Sequence, residues 1–277
     1  MVYEKGVPMK ILVTGATGNI GRLVVDELLA LGATDVRALT VDPARAALPP
    51  SVEVARGYLG EPRTLPAAFA GVDRMYLAPL LTTVREATRL AAEAGVRHIV
   101  DLAGAPGSSW PPIERAVEDC GVPWTHLEAG EFMTNAAIWA PQIRAGDVVR
   151  DAYPEEANPM IAPADIAAVA ARVLLDGVAH QGRAYPLTGP QSLTRRERIT
   201  RIGQALGRSL TVETTGPDQA VADLAPVMGT HAEWYLSGIA ASAAAGPRPP
   251  TTTVADVTGR EGTTFLRWAE DNAALFR

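Results

Sequence analysis

The stretch that decides the fold is Ile11-Leu12-Val13-Thr14-Gly15-Ala16-Thr17-Gly18-Asn19-Ile20-Gly21, in which an apolar run breaks into three glycines spaced three residues apart. A first strand of a parallel sheet is buried on both faces and reads as a continuous apolar run, as residues 11–13 do. The chain then continues as an amphipathic helix, and Gly32 provides a stop. The stretch therefore predicts a strand, a tight turn and a helix.

The glycines in this turn leave room for a phosphate group. Gly15 and Gly18 place no side chain between the backbone and a ligand, so a pyrophosphate can lie against free N–H groups at the positive end of the helix. A second apolar strand, Val36-Arg37-Ala38-Leu39, follows about twenty residues later, which is the spacing of a dinucleotide-binding unit. The residues expected to bind the cofactor here are Gly15, Thr17, Gly18, Asn19 and Ile20.

The end of the second strand distinguishes the two nicotinamide cofactors. An acidic side chain there would hold a ribose 2′-hydroxyl and repel a 2′-phosphate, but this chain has Thr40 and Val41. Asp42 precedes a proline and suits the N-cap of a short helix better than a ribose contact. Arg22 and Arg45 could reach a 2′-phosphate, or could be solvated surface charges. We expect NADP(H) as the cofactor.

Further apolar runs alternate with helical patterns at 52–55, 73–77, 97–102 and 124–127. This alternation predicts an α/β fold, a Rossmann doubly wound parallel sheet with a small C-terminal substrate-binding lobe. Ligands of such sheets lie beyond the carboxyl ends of the strands. The remaining residues expected to bind the cofactor lie at these ends: Thr40, Leu59, Ala78, Pro79, Leu80, Ala103, Gly104, Ala129 and Phe132.

The rhythm of strands and helices changes beyond Asn135, where isolated helices, short strands and many prolines follow. We therefore divide the chain into a flexible lead-in at 1–8, an NAD(P)-binding Rossmann domain at 9–135, and a smaller substrate-binding lobe at 136–277 that is free to cross back to the sheet.

Two local patterns stand out within this lobe. The segment Thr194-Arg195-Arg196-Glu197 has the spacing of a capping box at the start of a helix. The cluster Trp234-Tyr235-Leu236 is expected to belong to the core.

Composition narrows the class of protein. The net charge of −6 and the lack of any basic run argue against a nucleic-acid partner. No apolar stretch is long enough for a membrane span, and the N-terminus does not read as a signal peptide. A single cysteine, Cys120, suits a reducing cytoplasm, and His98 has no second metal ligand at suitable spacing. We expect a cytoplasmic protein without a metal site, and no signal fixes its oligomeric state.

The assembled motifs resemble the NmrA-like group of atypical short-chain dehydrogenases/reductases over nearly the whole chain. The segments that carry this resemblance are the glycine stretch 14–21, Asp42-Pro43-Ala44-Arg45, Gly57-Tyr58-Leu59, Ile113-Glu114, Gly121-Val122-Pro123-Trp124-Thr125, Phe132-Met133-Thr134-Asn135, Asp165-Ile166-Ala167 and Leu187-Thr188-Gly189-Pro190. The resemblance implies a Rossmann domain that binds NAD(P)(H) and a small lobe that holds substrate. Members of the group include quinone and ketone reductases, some of which act on aromatic polyketides in antibiotic pathways, and also non-catalytic redox sensors.

The chain departs from this group at its usual active-site positions. Val41 stands where a basic residue is usual, and Tyr58 where an acidic residue is usual. Ala103 stands where serine is common, and Trp110 aligns where histidine or lysine is common. The usual Arg-Pro after the sixth strand is replaced by Glu128-Ala129.

Two functions remain open on this basis. As an enzyme, the chain would reduce an aromatic ketone or quinone with NADPH. The pocket would then be lined by Trp110, Phe132, Met133 and Trp139, side chains that otherwise would be ordinary core. As a sensor, it would bind NADP(H) and pass the redox state to a partner, a role that the missing catalytic groups favour.

The proton that follows the hydride has no familiar donor in this sequence. Reductases of the wider superfamily use a tyrosine with a lysine four residues later, and no tyrosine of this chain has that neighbour. Candidate donors near the cofactor are Ser108, Ser109, Glu128 and Glu131, or a hydroxyl of the substrate itself.

Overall fold

The computed structural model describes residues 9–105 and 110–277. The lead-in 1–8 and the candidate donors Ser108 and Ser109 lie outside the described residues. The strands, in chain order, are β1 (Ile11–Val13), β2 (Val36–Thr40), β3 (Glu53–Arg56), β4 (Arg74–Leu77), β5 (His98–Gly104), β6 (Trp124–Ala129), β7 (Val148–Asp151), β8 (Ala157–Asn158), β9 (Arg183–Leu187), β10 (Leu193–Thr194) and β11 (Thr211–Thr214). The α-helices are α1 (Gly21–Ala30), α2 (Leu65–Phe69), α3 (Val84–Glu93), α4 (Pro111–Glu118), α5 (Ala140–Ala145), α6 (Pro163–Asp176), α7 (Arg195–Leu206), α8 (Pro217–Met228), α9 (Ala232–Ala245), α10 (Thr253–Thr258) and α11 (Phe265–Asp271).

A seven-stranded parallel sheet, in the order β3-β2-β1-β4-β5-β6-β9, organises the first of two compact units. The order reverses between β1 and β4, and this reversal is where doubly wound sheets bind ligands. The sheet confirms the predicted Rossmann-type α/β fold.

This first unit contains the described residues up to Ala129, together with Pro163–Leu187 and Thr253–Gly259. An apolar layer between the sheet and α2, α3 and α4 includes Leu12, Phe69 and Val117, all fully buried. On the other face, α1 packs against α6. The central strands β1 and β4 are almost fully buried and consist mostly of apolar residues, whereas the edge strands β3 and β9 are largely exposed.

The second unit contains Gly130–Ala162, Thr188–Thr252 and Arg260–Arg277. Its strands form two small sheets, in which β8 pairs with β10 antiparallel and β7 pairs with β11 parallel. Its own apolar core includes Trp139, Ile143, Ile199 and Phe276. The unit therefore has a separate interior, as expected of a distinct structural domain.

The two units do not coincide with the domain limits expected from the sequence. The expected boundary fell at 135/136, whereas the first unit ends at Ala129 and then regains two later segments. The reason is the pairing of β9 with β6, which satisfies the backbone groups of both strands and draws α6 back to the sheet.

Several local predictions are confirmed. The Asp42 side chain caps Ala44, and Gly32 has φ +88° at the end of α1. The Thr194 and Glu197 side chains form the predicted capping box of α7. The prediction that Trp234 belongs to the core is wrong: the side chain is 74% exposed, because on α9 the neighbouring Leu236 turns inward in its place.

None of the helices within residues 9–105 and 110–277 is both long and apolar enough to cross a membrane.

Candidate functional site

The glycine turn between β1 and α1 is closely packed. Gly15 has φ +61°, and a Cβ there would lie 3.2 Å from the Cβ of Ala78. A Cβ on Gly21 would overlap the carbonyl oxygen of Gly15, and one on Gly18 would lie 3.2 Å from the same oxygen. The path of the turn therefore depends on all three glycines.

The start of α1 is open towards solvent. The backbone N–H groups of Thr17, Asn19 and Ile20 have no acceptor within the described part of the chain, and no side chain caps the helix. Thr17, Gly18 and Asn19 are exposed. Free N–H groups at a helix N-terminus form an anion site, so the turn fits the pyrophosphate of a dinucleotide.

Thr14 links this turn to the end of the neighbouring strand. The buried Thr14 hydroxyl accepts a hydrogen bond of 2.8 Å from the N–H of Ala78, and the Thr14 N–H donates to the carbonyl of Tyr76 at 3.0 Å. The half-buried residues 78–80, expected to bind the cofactor, are thus held beside the turn. Sequence reasoning assigned no role to Thr14, although a hydroxyl directly after β1 was the available signal.

At the end of β2, the side chains are already used within the protein. The Thr40 hydroxyl accepts from the N–H of Asp42 at 3.3 Å, and the Asp42 carboxylate accepts from the N–H of Ala44 at 3.1 Å. Leu59, after β3, is buried at 6% exposure. The Asp42 carboxylate therefore serves as a helix cap through Oδ1, as the sequence predicts.

Three arginines surround the same strand end. Arg22 donates to the carbonyl of Ala47 at 2.9 Å and pairs with Asp26 at 3.2 Å. Arg45 is exposed at the end of a short 3-10 helix. Arg56, which the sequence analysis missed, is exposed and lies opposite Thr40 in the register of β2 and β3. The signal for it was its position at the carboxyl end of a strand.

Across the sheet, the carboxyl ends of β5 and β6 carry the other predicted residues. Ala103, Gly104 and Ala129 are buried at these ends, and none of them has a polar side-chain atom. Glu128 is half-buried on β6, opposite Ala103. Burial raises the pKa of Glu128, and the nearby Glu114 carboxylate raises it further.

A buried histidine–carboxylate pair lies two residues before Glu128 in the register of β5 and β6. The Nδ1–H of His126 donates to the Asp101 carboxylate at 2.7 Å, and the Nε2 atom is 3.5 Å from Glu118. Burial is the largest single effect and lowers the pKa of His126, but the hydrogen bond to Asp101 and the negative charges of Asp101, Glu118 and Glu114 together outweigh it, so the pKa is raised. The ring also stacks on Trp124, with 4.1 Å between the ring centroids.

His98 is a packed side chain, as predicted. It is 1% exposed and donates from Nε2 to the Thr125 hydroxyl at 2.9 Å, while that hydroxyl donates to the carbonyl of His180. Burial lowers the pKa of His98 to about 4, so the ring is neutral at pH 7. Within residues 9–105 and 110–277, no group of three or more potential ligands could hold a metal ion.

The residues predicted to line a substrate pocket have different surroundings. Met133 and Trp139 are 1% and 2% exposed in the core of the second unit, and the Trp139 indole N–H donates to Asp151 at 3.0 Å. Trp110 and Phe132 are half-buried. Burial favours a packing role for Met133 and Trp139, and Trp110 packs against the apolar layer of the first unit.

The second unit also contains a cavity of about 460 Å³ that none of the predicted pocket residues lines. Its lining residues are Tyr153, Pro217, Asp218, Val221, Glu233, Leu236, Ser237 and Ala240.

Glu131 belongs to a buried polar network of the second unit. Its carboxylate accepts from the Tyr235 hydroxyl at 3.1 Å and from the Asn158 amide at 2.9 Å, and it lies 3.7 Å from Arg198. The same Asn158 amide also donates to Glu156. With these partners, Glu131 has a structural role in joining β8, α7 and α9.

Comparisons with known proteins identify relatives of this chain. A family model described as NAD(P)H-binding matches residues 15–109. The chain is 36% identical to the (4-alkanoyl-5-oxo-2,5-dihydrofuran-3-yl)methyl phosphate reductase of Streptomyces griseus subsp. griseus, over 96% of this chain and 99% of that protein. It is 33% identical to the NAD(P)H azoreductase of Xenophilus azovorans, over 96% of this chain and 99% of that protein.

Solved structures share the fold. The triphenylmethane reductase of Citrobacter sp. matches with a TM-score of 0.84 at 22% identity, over 96% of this chain and 99% of that chain. NmrA, a negative transcriptional regulator in complex with NAD, matches with a TM-score of 0.72 at 15% identity, over 97% of each chain. The protein therefore belongs to the NmrA-like atypical short-chain dehydrogenases/reductases, NAD(P)-binding Rossmann proteins, and is an NAD(P)H-dependent oxidoreductase.

Proposed function

We propose that this chain uses NADPH to reduce a conjugated ketone or quinone, with a polycyclic aromatic polyketide as one candidate substrate. The observation that carries the proposal is the open glycine turn, in which the amides of Thr17, Asn19 and Ile20 have no acceptor among residues 9–105 and 110–277. This turn fits a pyrophosphate and hence a dinucleotide.

Different residues of the first unit would bind different parts of the cofactor. The glycine turn binds the phosphates through its backbone, and Arg22, Arg45 and Arg56 offer cations to a 2′-phosphate near the end of β2. The ends of β4, β5 and β6 extend the site along the sheet edge, about 14 Å from β1 to β6. When bound, NADPH would supply the hydride. The protein would orient the cofactor and the substrate, exclude water from the site and provide a route for a proton.

The names of the relatives support a conjugated acceptor. One is a reductase of an alkanoyl-oxo-dihydrofuranyl methyl phosphate and the other an azoreductase, so both are named for π-conjugated compounds. A conjugated acceptor spreads the charge that the hydride brings, which lowers the demand for a strong proton donor. Half-buried Trp110, in the same unit as the glycine turn, would suit a flat, apolar ring.

A sensor of the NADPH/NADP ratio is the second candidate function. Its support is the lack of a tyrosine–lysine pair at the spacing that typical reductases use. The two functions differ in turnover, because a sensor binds the cofactor without consuming it. Both would act in the cytoplasm, where NADPH is available and a single cysteine stays reduced.

The experiment is a screen of NADPH oxidation by the purified chain against quinones, polycyclic ketones and azo compounds. The proposed function predicts turnover with at least one acceptor that disappears in Gly18→Val, a variant that removes room at the phosphate cradle. If the chain binds NADPH and no acceptor supports oxidation above the rate of the variant, the sensor role takes its place.

A further inference from the structure

Ionisable side chains from three elements converge on one face of the sheet, near its ligand-binding edge. In the register of β5 and β6, Asp101 lies opposite His126, and Ala103 lies opposite Glu128. Residues two apart in a strand share a face, so Glu128 lies directly beyond the buried pair. Glu114, in the first turn of α4, interacts electrostatically with this group.

Glu128 differs from Asp101, the other strand carboxylate of this group, in having no partner among the described residues. It makes no hydrogen bond or ion pair with any described residue, whereas Asp101 is bonded to His126. The residue opposite it is Ala103, whose methyl group is small and offers no polar atom. A half-buried carboxyl group with no partner, at the carboxyl end of a parallel strand, is placed where a ligand group can meet it.

The surroundings of Glu128 favour its protonated form. Burial raises its pKa above the ordinary value, and the carboxylates of Glu114 and Asp101 act in the same direction, while His126 opposes them. Two carboxyl groups near each other cannot both ionise without a cost, so one keeps its proton to higher pH. A carboxylic acid in this state can act as a general acid.

We propose that Glu128 donates the proton in the reduction, with Glu114 and the His126–Asp101 pair as positioning residues. The proposal rests on the reductase function proposed above. As a hydride adds to the carbonyl carbon, the π electron pair moves onto the oxygen. The O–H bond of Glu128 then breaks and its proton joins that oxygen. NADPH is oxidised to NADP⁺, and the Glu128 carboxylate recovers a proton from water.

The first test needs no cofactor. Carbon NMR of the chain labelled at glutamate carboxyl groups follows each titration, and the signal lost in Glu128→Gln identifies Glu128. The proposal predicts a pKa above 4.5 for Glu128, which falls towards 4.5 in Glu114→Gln and stays unchanged in Glu93→Gln, an exposed carboxylate of the same unit. A Glu128 that titrates at or below 4.5 overturns the proposal.

Folding stability gives a second readout in the free protein. An acid whose pKa is raised in the folded state stabilises that state fully below the unfolded pKa, and the effect is lost as the pH rises through the folded pKa. The stability of Glu128→Gln relative to the parent should therefore increase as the pH rises above 4.5.

The last test measures single-turnover reduction of an acceptor that has no hydroxyl beside its carbonyl. We expect Glu128→Gln to slow the step by about a hundredfold or more, with unchanged NADPH affinity, and Glu93→Gln to match the parent. A rate within about threefold of the parent would overturn the proposal and leave proton transfer to the substrate or to solvent. If the parent itself reduces no acceptor, the reductase function fails, an outcome that is distinct from a fast Glu128→Gln variant.

Discussion

Replacement of Gly15 by alanine separates the binding role of the glycine turn from its effect on folding. Gly15 has φ +61° before α1, and Gly32 has φ +88° after it. A Cβ on Gly32 would meet nothing within 4 Å, whereas one on Gly15 would lie 3.2 Å from the Cβ of Ala78. Gly32→Ala is therefore a matched control for the conformational cost of a left-handed alanine.

The two variants should lose similar amounts of stability. A non-glycine residue in the left-handed region lowers the free energy of unfolding by about 1–2 kcal/mol. In Gly15→Ala, the tight contact with Ala78 adds a loss of about a few tenths of a kcal/mol. The free energy of unfolding in urea, followed by circular dichroism, measures these losses. Neither change is large enough to unfold a typical domain.

Cofactor affinity should separate the variants. A turn relaxed away from the left-handed region moves the amides of Thr17, Asn19 and Ile20. Each charge-assisted hydrogen bond lost to a phosphate is worth about 1.5–3 kcal/mol. Gly15→Ala should therefore raise the Kd for NADPH by about ten- to a hundredfold, measured by calorimetry, while Gly32→Ala stays within about twofold of the parent. Equal affinities for the two variants would refute the placement of the pyrophosphate at this turn.

Three further predictions concern the same chain. Gly18→Val should abolish NADPH binding because its side chain would fill the phosphate space, and a folded variant that titrates like the parent would show that the site is elsewhere. NADPH should bind about ten- to a hundredfold more tightly than NADH, with the ratio reduced in Arg22→Gln, Arg45→Gln or Arg56→Gln, and equal dissociation constants from calorimetry would contradict this. Burial alone would raise the pKa of Asp151, but the Arg195 guanidinium, 2.7 Å away, holds it below its ordinary value of 3.8, so this pair stabilises the fold above pH 3.8 and is lost as the pH falls further. Asp151→Asn should therefore cost about 3–5 kcal/mol in urea unfolding at pH 7 and progressively less below pH 3.8, whereas Asp147→Asn, at an exposed ion pair with Arg208, should cost less than about 1 kcal/mol at either pH.

Local patterns were read correctly from the sequence because their causes are local. The capping box of α7 joins residues three apart, and the Asp42 cap joins residues two apart. The first strand, the glycine turn and α1 likewise lie within about twenty consecutive residues, where period and turn chemistry are sufficient. The fold class was predicted from this strand–turn–helix unit and from the further alternation of strands and helices along the chain.

Contacts between residues far apart in the chain could not be predicted from the sequence in this way. Arg195 pairs with Asp151 at a separation of 44 residues, and Tyr235 bonds to Glu131 at a separation of 104. No periodicity links such partners, so charged residues like Arg195 and Arg198 resemble exposed helix positions until the fold is known. The exposure of Trp234 was missed for a related reason, since an apolar side chain shows no sign in the sequence of whether a neighbour will cover it.

The position of Glu128 illustrates the limit for the candidate site. Its place at the end of β6 was predicted, but its lack of a partner among the described residues depends on Ala103 in another strand, and its raised pKa depends in part on Glu114 in a helix. The register of β5 and β6, which the sequence does not specify, decides which of these groups meet.

The return of the chain to its first unit has a consequence for synthesis on the ribosome. The sheet ends with β9, and α6 and α10 also belong to this unit, yet all three are translated after the first residues of the second unit. Until Leu187 leaves the exit tunnel, β6 has a free edge, and an unpaired edge strand invites pairing with another chain. The first unit cannot complete its sheet until residues 130–162 of the second unit have been translated, so a nascent chain halted near residue 135 should depend on chaperones more than the finished protein does.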